Sequence, residues 1–365
     1  MKKNKIILIL PLILLMTGCT NVLKDKDGKV IQYTANNVCD TCNLKCDQIG
    51  IENLENENSE IINFDENIED IKASCKESCN KKCKESKDTQ TGQNLVENIL
   101  CRPTNENVLE LYEDNGYDLS KLPECKNLSI TSGKYEGVWT SIFVKPLAFL
   151  IVLLGKLLNN YGLSVIIITI LIRLALYPVT KKTAMQSELM KNAQPELSKL
   201  EKKYAGKTDQ QSQMAKSQEM MIIYKKYNIN PLSGCLFSLI QIPLFFAFYE
   251  ALNRLPVIFE GKLLFFNLGT TPWTAIFSHN QYYYIIIVLL VGLTTYYSFK
   301  LNSTASMSDE QAGQMKIMST FSVILITIMS FKVSISIALY WIFNSAFTIV
   351  QNLLVKRGKK NDNII

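Results

Sequence analysis

The chain has 365 residues, 47% of them hydrophobic, and a formal net charge of +6. Its one histidine, and the lack of a serine or cysteine set beside a base in a common motif, argue against nucleophilic or acid–base catalysis. The averages conceal a division: Thr20 to Gly137 holds 14 Lys/Arg against 23 Asp/Glu, a net of −9, and the remainder carries +15 among long apolar runs. Such a basic, apolar block suits anionic lipid headgroups better than a specific nucleic acid.

Residues 1–18 read as a secretory signal peptide. Lys2, Lys3 and Lys5 precede an 11-residue apolar stretch, Ile6 to Met16. That stretch is too short for a bilayer, which needs about 20 residues. Met16-Thr17-Gly18-Cys19 resembles the lipobox of bacterial lipoproteins, in which the cysteine becomes the first mature residue and carries lipid such as palmitate. Met16 departs from the usual leucine, and an ordinary signal peptide followed by a chance cysteine is the competing reading. Under either, the residues after Cys19 lie outside the cytoplasm.

Residues 19–137 form an acidic, cysteine-rich exported region. Eight of the ten cysteines lie between Cys39 and Cys125. An even number in an exported segment argues for disulfides. Cys39, Cys42 and Cys46 are spaced 3 and 4 apart, and Cys75, Cys79 and Cys83 are spaced 4 and 4. On helices each set lines one face. Two antiparallel helices would pair Cys39 with Cys83, Cys42 with Cys79 and Cys46 with Cys75, leaving Cys101 for Cys125. A redox pair at Cys39-Asp-Thr-Cys42 and zinc ligation by the clusters are rival readings. Structural disulfides are preferred, because so few apolar residues would bury little core without covalent staples.

Residues 138–161 predict an amphipathic helix lying on the outer membrane surface. Lys145 and Lys156 are free to snorkel, and Trp139 and Tyr161 suit the interface. A true span is the alternative, interrupted by Lys145, Pro146 and Lys156. Five spans follow: Gly162–Val179, Leu232–Leu252, Tyr282–Phe299, Ile317–Phe331 and Ser334–Val355. Between the first two, residues 180–230 carry 10 Lys against 5 acids and predict a helical hairpin turning at Tyr204-Ala-Gly-Lys207. The loop Asn253–Gln281 nets only +1 and contains an apolar patch, Leu263–Phe266, and Trp273. Residues 358–365 form a basic tail. The lysine-rich hairpin and tail belong in the cytoplasm by the positive-inside rule, which agrees with the exported N-terminus.

Arg173 stands in the inner half of the first span, where a lone arginine costs about 2.5–3.5 kcal/mol. Thr169 lies one turn back. Gln241, Thr294, Thr295, Tyr296, Asn344 and Gln351 add polar atoms from other spans, as do Ser322 and Thr327. Glu250 is the acid within the spans, roughly 13 Å from Arg173 in depth, and reads as an interfacial carboxylate in contact with water. The arrangement predicts a positively charged, water-containing groove open to the cytoplasm. Arg173 snorkelling to the inner headgroups is the alternative, and single intramembrane Ser and Thr residues often bond their own backbone.

Four fragments, in order, carry a resemblance. Ile170-Leu-Ile-Arg173-Leu-Ala-Leu-Tyr-Pro178, Gln194-Pro-Glu-Leu197, Tyr224-Lys-Lys-Tyr-Asn-Ile-Asn-Pro-Leu-Ser-Gly-Cys-Leu236 with Ile240-Gln-Ile-Pro243, and Leu339-Tyr-Trp-Ile-Phe-Asn344 resemble the YidC/Oxa insertases. The match covers about Trp139 to Arg357, and a lipobox with an external N-terminus resembles the Gram-positive form. Phe237-Ser238 stands where that family often has proline, and the exported block matches nothing in it. The resemblance implies an all-α integral membrane protein with five transmembrane helices, an interfacial helix and a cytoplasmic hairpin, preceded by the Cys-rich exported segment. It implies a plasma-membrane insertase core over 162–357, with no catalysis, no cofactor and no metal. Newly made membrane proteins would be its substrates, alone or with the Sec translocon, the ribosome and anionic lipids as partners. Arg173 would be the groove arginine, Thr169 and Trp341 would contact substrate, and Gln241, Thr294 and Asn344 would line the groove. The hairpin would receive substrates, with Met185, Met190, Met214, Met220 and Met221 as an adaptable apolar surface or as ordinary packing. A solute transporter or channel is the competing class. Inverted repeats and deep acids would mark it, and the spans contain neither.

Overall fold

The computed structural model describes residues 20–25, 27–49, 65–89, 92–230, 233–302 and 309–362. The expected signal peptide, residues 1–18, and the expected lipidation site Cys19 lie outside these residues. The described chain is mostly helical and divides into two compact units: one comprises residues up to 163 with 249–281 and 334–336, the other 164–248, 282–333 and 337–365.

In the first unit, α1 (Ala35–Gln48) and α2 (Asp65–Thr89) lie together. Four disulfides join Cys39 to Cys83, Cys42 to Cys79, Cys46 to Cys75 and Cys101 to Cys125. Cys46, Cys75 and Cys79 bring three sulfurs close enough to suit a metal, but each is already in a disulfide. The rest of this N-terminal block buries a small core of its own. Short extended segments pair at Val22 with Val96, Lys24 with Val30 and Gln32 with Asn94. They turn Leu23, Ile31, Tyr33 and Leu95 inward, against α3 (Glu106–Glu113) and Leu119. Phe259, from the loop 253–281, joins the same core. Asn105 caps α3 by accepting from the Asn107 and Val108 amides. Tyr112 donates to the Val96 carbonyl at 2.7 Å, and burial pushes its phenol above the usual range.

After a π-helical stretch, Thr140–Val144, α4 (Lys145–Leu157) buries Leu147, Ala148, Ile151 and Val152 and exposes Leu150, Leu153 and Leu157. Lys145 does not snorkel. It is buried, and its ammonium donates to the Ser132 and Lys134 carbonyls at 2.8 and 2.9 Å. Those acceptors lie in the preceding segment and take two of the ammonium's three N–H groups. Gly155 abuts the Tyr161 ring, where a Cβ would sit 2.1 Å from a ring carbon. This close approach packs the end of α4 on the first residue of α5 (Tyr161–Ala175).

α5 ends at a 69° bend before α6 (Tyr177–Tyr204). Pro178 accounts for the bend, since a proline cannot donate to the carbonyl four residues back. α6 and α7 (Gln210–Lys226) form a hairpin through Gly206, whose φ of 78° suits glycine, and Asp209 caps α7 by accepting from the Ser212 amide. Met190, Ala193, Leu197 and Tyr224 fill its core, with Met220 at the margin. Met185, Met214 and Met221 are exposed. Glu196 pairs with Lys226 at 2.5 Å and Glu219 with Lys203 at 2.6 Å.

α8 (Ser233–Asn253) leads to the one-turn helix α9 (Pro256–Phe259), then to a hairpin of β1 (Lys262–Leu263) with β2 (Phe266–Asn267) and to α10 (Pro272–His279). α11 (Ile285–Asn302) packs on α12 (Asp309–Met329), with Gly292 facing Thr327. The last helix, α13, runs Ile335–Asp362 and so includes most of the tail. Thr140–Leu157, Tyr282–Leu301 and Ile335–Arg357 are long and apolar enough to cross a membrane, and the bent α5–α6 pair makes a fourth if counted as one span. The apolar part of α12, Lys316–Met329, is shorter.

Candidate functional site: a buried arginine clamp

Arg173 lies in the last turn of α5 and is 2% exposed. Its Nε donates to Asn344 Oδ1 at 2.5 Å, and Nη2 donates to Gln241 Oε1 at 2.6 Å. These two groups are amides, which orient the guanidinium and carry no charge of their own. Gln241 Nε2 donates in turn to the Tyr340 hydroxyl at 3.2 Å. Three helices, α5, α8 and α13, thus converge on one cation, whose side chain turns inward in the folded chain.

The α13 face that serves this cluster is polar throughout. Tyr340, Asn344, Thr348 and Gln351 follow at steps of 4, 4 and 3, and all are buried. Gln351 receives the Thr180 hydroxyl at 3.1 Å, and Thr348 bonds the Asn344 carbonyl. Tyr340 and Thr348 were missed in the sequence because an aromatic or a threonine in an apolar helix reads as packing. The helical spacing from Asn344 was the available signal.

The remaining expected groove residues separate. Thr169 is 1% exposed, and its hydroxyl bonds the Val165 carbonyl of its own helix at 2.7 Å. Trp341 Nε1 donates to Thr295 Oγ1 at 2.8 Å, so Thr295 occupies the place expected of Thr294. Adjacent helical residues point about 100° apart, and Thr294 instead returns its hydroxyl to the Leu290 and Val291 carbonyls.

A second buried arginine was not foreseen. Arg254, 0% exposed, bonds Glu250 at 3.0 Å, Glu136 at 2.6 Å and the Asn98 carbonyl at 2.6 Å. Its own carbonyl accepts the Leu100 amide. Glu250 is therefore no water-facing carboxylate: it is buried between Arg254 and the Trp139 indole, which donates at 3.0 Å. Nearby, Glu260 receives the Thr104 and Asn105 amides, both at 2.9 Å, and the Thr104 hydroxyl. Residues 98–136 thereby grip the loop 253–281 at two carboxylate-based points.

The sequence profile of the family described as "60Kd inner membrane protein" matches residues 153–362. The chain is similar to the membrane protein insertase YidC of Oceanobacillus iheyensis, 35% identical over 227 residues that cover 61% of this chain and 85% of that one. It is similar also to the membrane protein insertase MisCA of Bacillus subtilis, 36% identical over 219 residues, 60% of this chain and 79% of the other.

Proposed function

Because the chain belongs to the 60Kd inner membrane protein family of YidC-type insertases, we propose that it inserts newly made polypeptides into the lipid bilayer through a hydrated, positively charged groove. The observation that carries this reading is Arg173, buried in an apolar helix yet clamped by the amides of Gln241 and Asn344. A cation so placed attracts acidic or polar stretches of an entering chain and shortens the apolar distance they must cross. Trp341, bonded to Thr295, would contact the passing segment, and the resemblance gives Thr169 the same role once entry of the segment opens its packing.

We place five spans across the bilayer, 162–179, 232–252, 282–299, 317–331 and 334–355, with α4 on the outer surface. The exported block faces outward, and the basic hairpin and tail face the cytoplasm. Cys19 carries lipid, and the four cysteine pairs persist as disulfides in that oxidising setting. The exposed Met185, Met214 and Met221 give the hairpin an adaptable surface for arriving chains, from the ribosome directly or together with the Sec translocon.

The test is insertion of a single-span protein into vesicles reconstituted with the full chain. Arg173→Ala is expected to lower insertion of a substrate with an acidic external tail about tenfold or more, on the scale of a lost charged hydrogen bond. Arg173→Lys keeps the charge and most of the activity. Equal insertion by Arg173→Ala for every substrate rejects the groove, and uptake of a small solute without polypeptide insertion favours a transporter.

A further inference from the structure

We infer that Tyr340 is a positioning residue for Arg173, acting through the side-chain amide of Gln241; the inference rests on the groove reading above. A glutamine amide has two ends of nearly equal shape and opposite character. Here Oε1 faces Arg173 at 2.6 Å and Nε2 faces the Tyr340 oxygen at 3.2 Å. Turned over, the same amide would set its N–H groups against a guanidinium that can only donate. The guanidinium, which only donates, sets which end of the amide faces it, and the Tyr340 hydroxyl, accepting from Nε2, ties down the far end so that the amide cannot swing away.

The phenol is itself held still. Tyr340 is 1% exposed, and its ring stacks on Phe248 at 4.2 Å and 25°, with Phe245 at 6.3 Å. Tyr340 and Asn344 stand one turn apart on α13, so one helix controls both amides of the clamp, Asn344 directly and Gln241 through the phenol. The guanidinium is thereby presented in one orientation at little entropic cost during substrate entry. Phenylalanine at 340 keeps the ring packing and deletes only the acceptor.

The experiment measures insertion by the reconstituted full chain of two substrates that differ only in the tail, acidic or neutral. Tyr340→Phe is expected to lower acidic-tail insertion about fivefold, the scale of one hydrogen bond, and to leave the neutral tail unchanged. The same substitution is expected to be silent in Arg173→Ala and Gln241→Leu backgrounds. An equal loss on both tails from Tyr340→Phe, or an undiminished loss in the Arg173→Ala background, overturns the assignment. If Arg173→Ala itself fails to distinguish the tails, the groove reading fails and the role of Tyr340 falls with it. If Arg173→Ala distinguishes them and Tyr340→Phe does not, only the positioning role is lost.

Discussion

Arg173 and Arg254 are both buried, and they are held in opposite ways. Arg254 meets two carboxylates, Glu250 and Glu136, from elements far apart in sequence. Arg173 meets two amides, Gln241 and Asn344. A carboxylate cancels the charge it binds, whereas an amide aims it and leaves it standing. The first arrangement joins parts of a structure together. The second, on the proposed function, presents a cation to a moving partner. Burial alone therefore does not mark a functional arginine; the chemistry of its acceptors does.

The comparison breaks most visibly at Arg254. Truncation to alanine leaves Glu250 buried without its cation, and such losses cost about 3–5 kcal/mol. Arg254→Ala should lower the melting temperature sharply and make the loop 253–281 sensitive to protease, with the preference for acidic tails unchanged in any protein that remains folded. A stable Arg254→Ala variant would remove the structural half of the contrast.

A somewhat smaller loss is expected from replacing Cys101 and Cys125 together by serine. Their separation of 24 residues gives a chain-entropy contribution of roughly 3 kcal/mol. The bond also pins the segment that offers Asn98, Leu100 and Thr104 to the loop. Melting with and without reductant reads the effect, and reductant should do nothing further to the double variant through this pair.

Arg173→Ala should be milder for stability, about 1–3 kcal/mol for amides left unpaired, yet decisive for substrate charge. A large stability loss with no change in tail preference would make Arg173 a second structural arginine and erase the contrast.

The smallest effect sharpens the reading of the hairpin. Lys226 holds the Glu196 carboxyl below its ordinary range, and Lys203 does the same for Glu219. Depressed carboxyl groups stabilise above their unfolded titration range and lose that contribution as pH falls through their folded values. Both pairs are solvent-exposed, so acidification below the ordinary carboxylate range should speed amide exchange in α6 and α7 only slightly, and added salt should weaken the dependence.

Much of the helical architecture was legible because apolar runs, charged connectors and prolines punctuate the chain on a scale longer than a helical turn. Arg173 stood out as a charge inside such a run, and Gln241 and Asn344 as amides at comparable depth. Finer assignments needed coordinates. Thr294 and Thr295 differ only in helical azimuth, which composition does not set. Glu250 and Arg254 form an i, i+4 pair that the sequence offered, but Glu136 lies 118 residues away from Arg254 and nothing local announced it. The membership of the small N-terminal core was not legible for a related reason: its apolar residues are few, and their alternation is too short to carry a periodic signal, while Phe259 enters from another region.

Accessibility labelling tests the central claim most directly. In a Cys235→Ser background, single cysteines at Gln241 and Trp341, beside the clamp, and at Leu171, on the exposed apolar face of α5, would be treated with a membrane-impermeant maleimide from the cytoplasmic side. A hydrated groove predicts modification at 241 and 341 with little at 171. Protection at all three, as in a dry and sealed bundle, would contradict it.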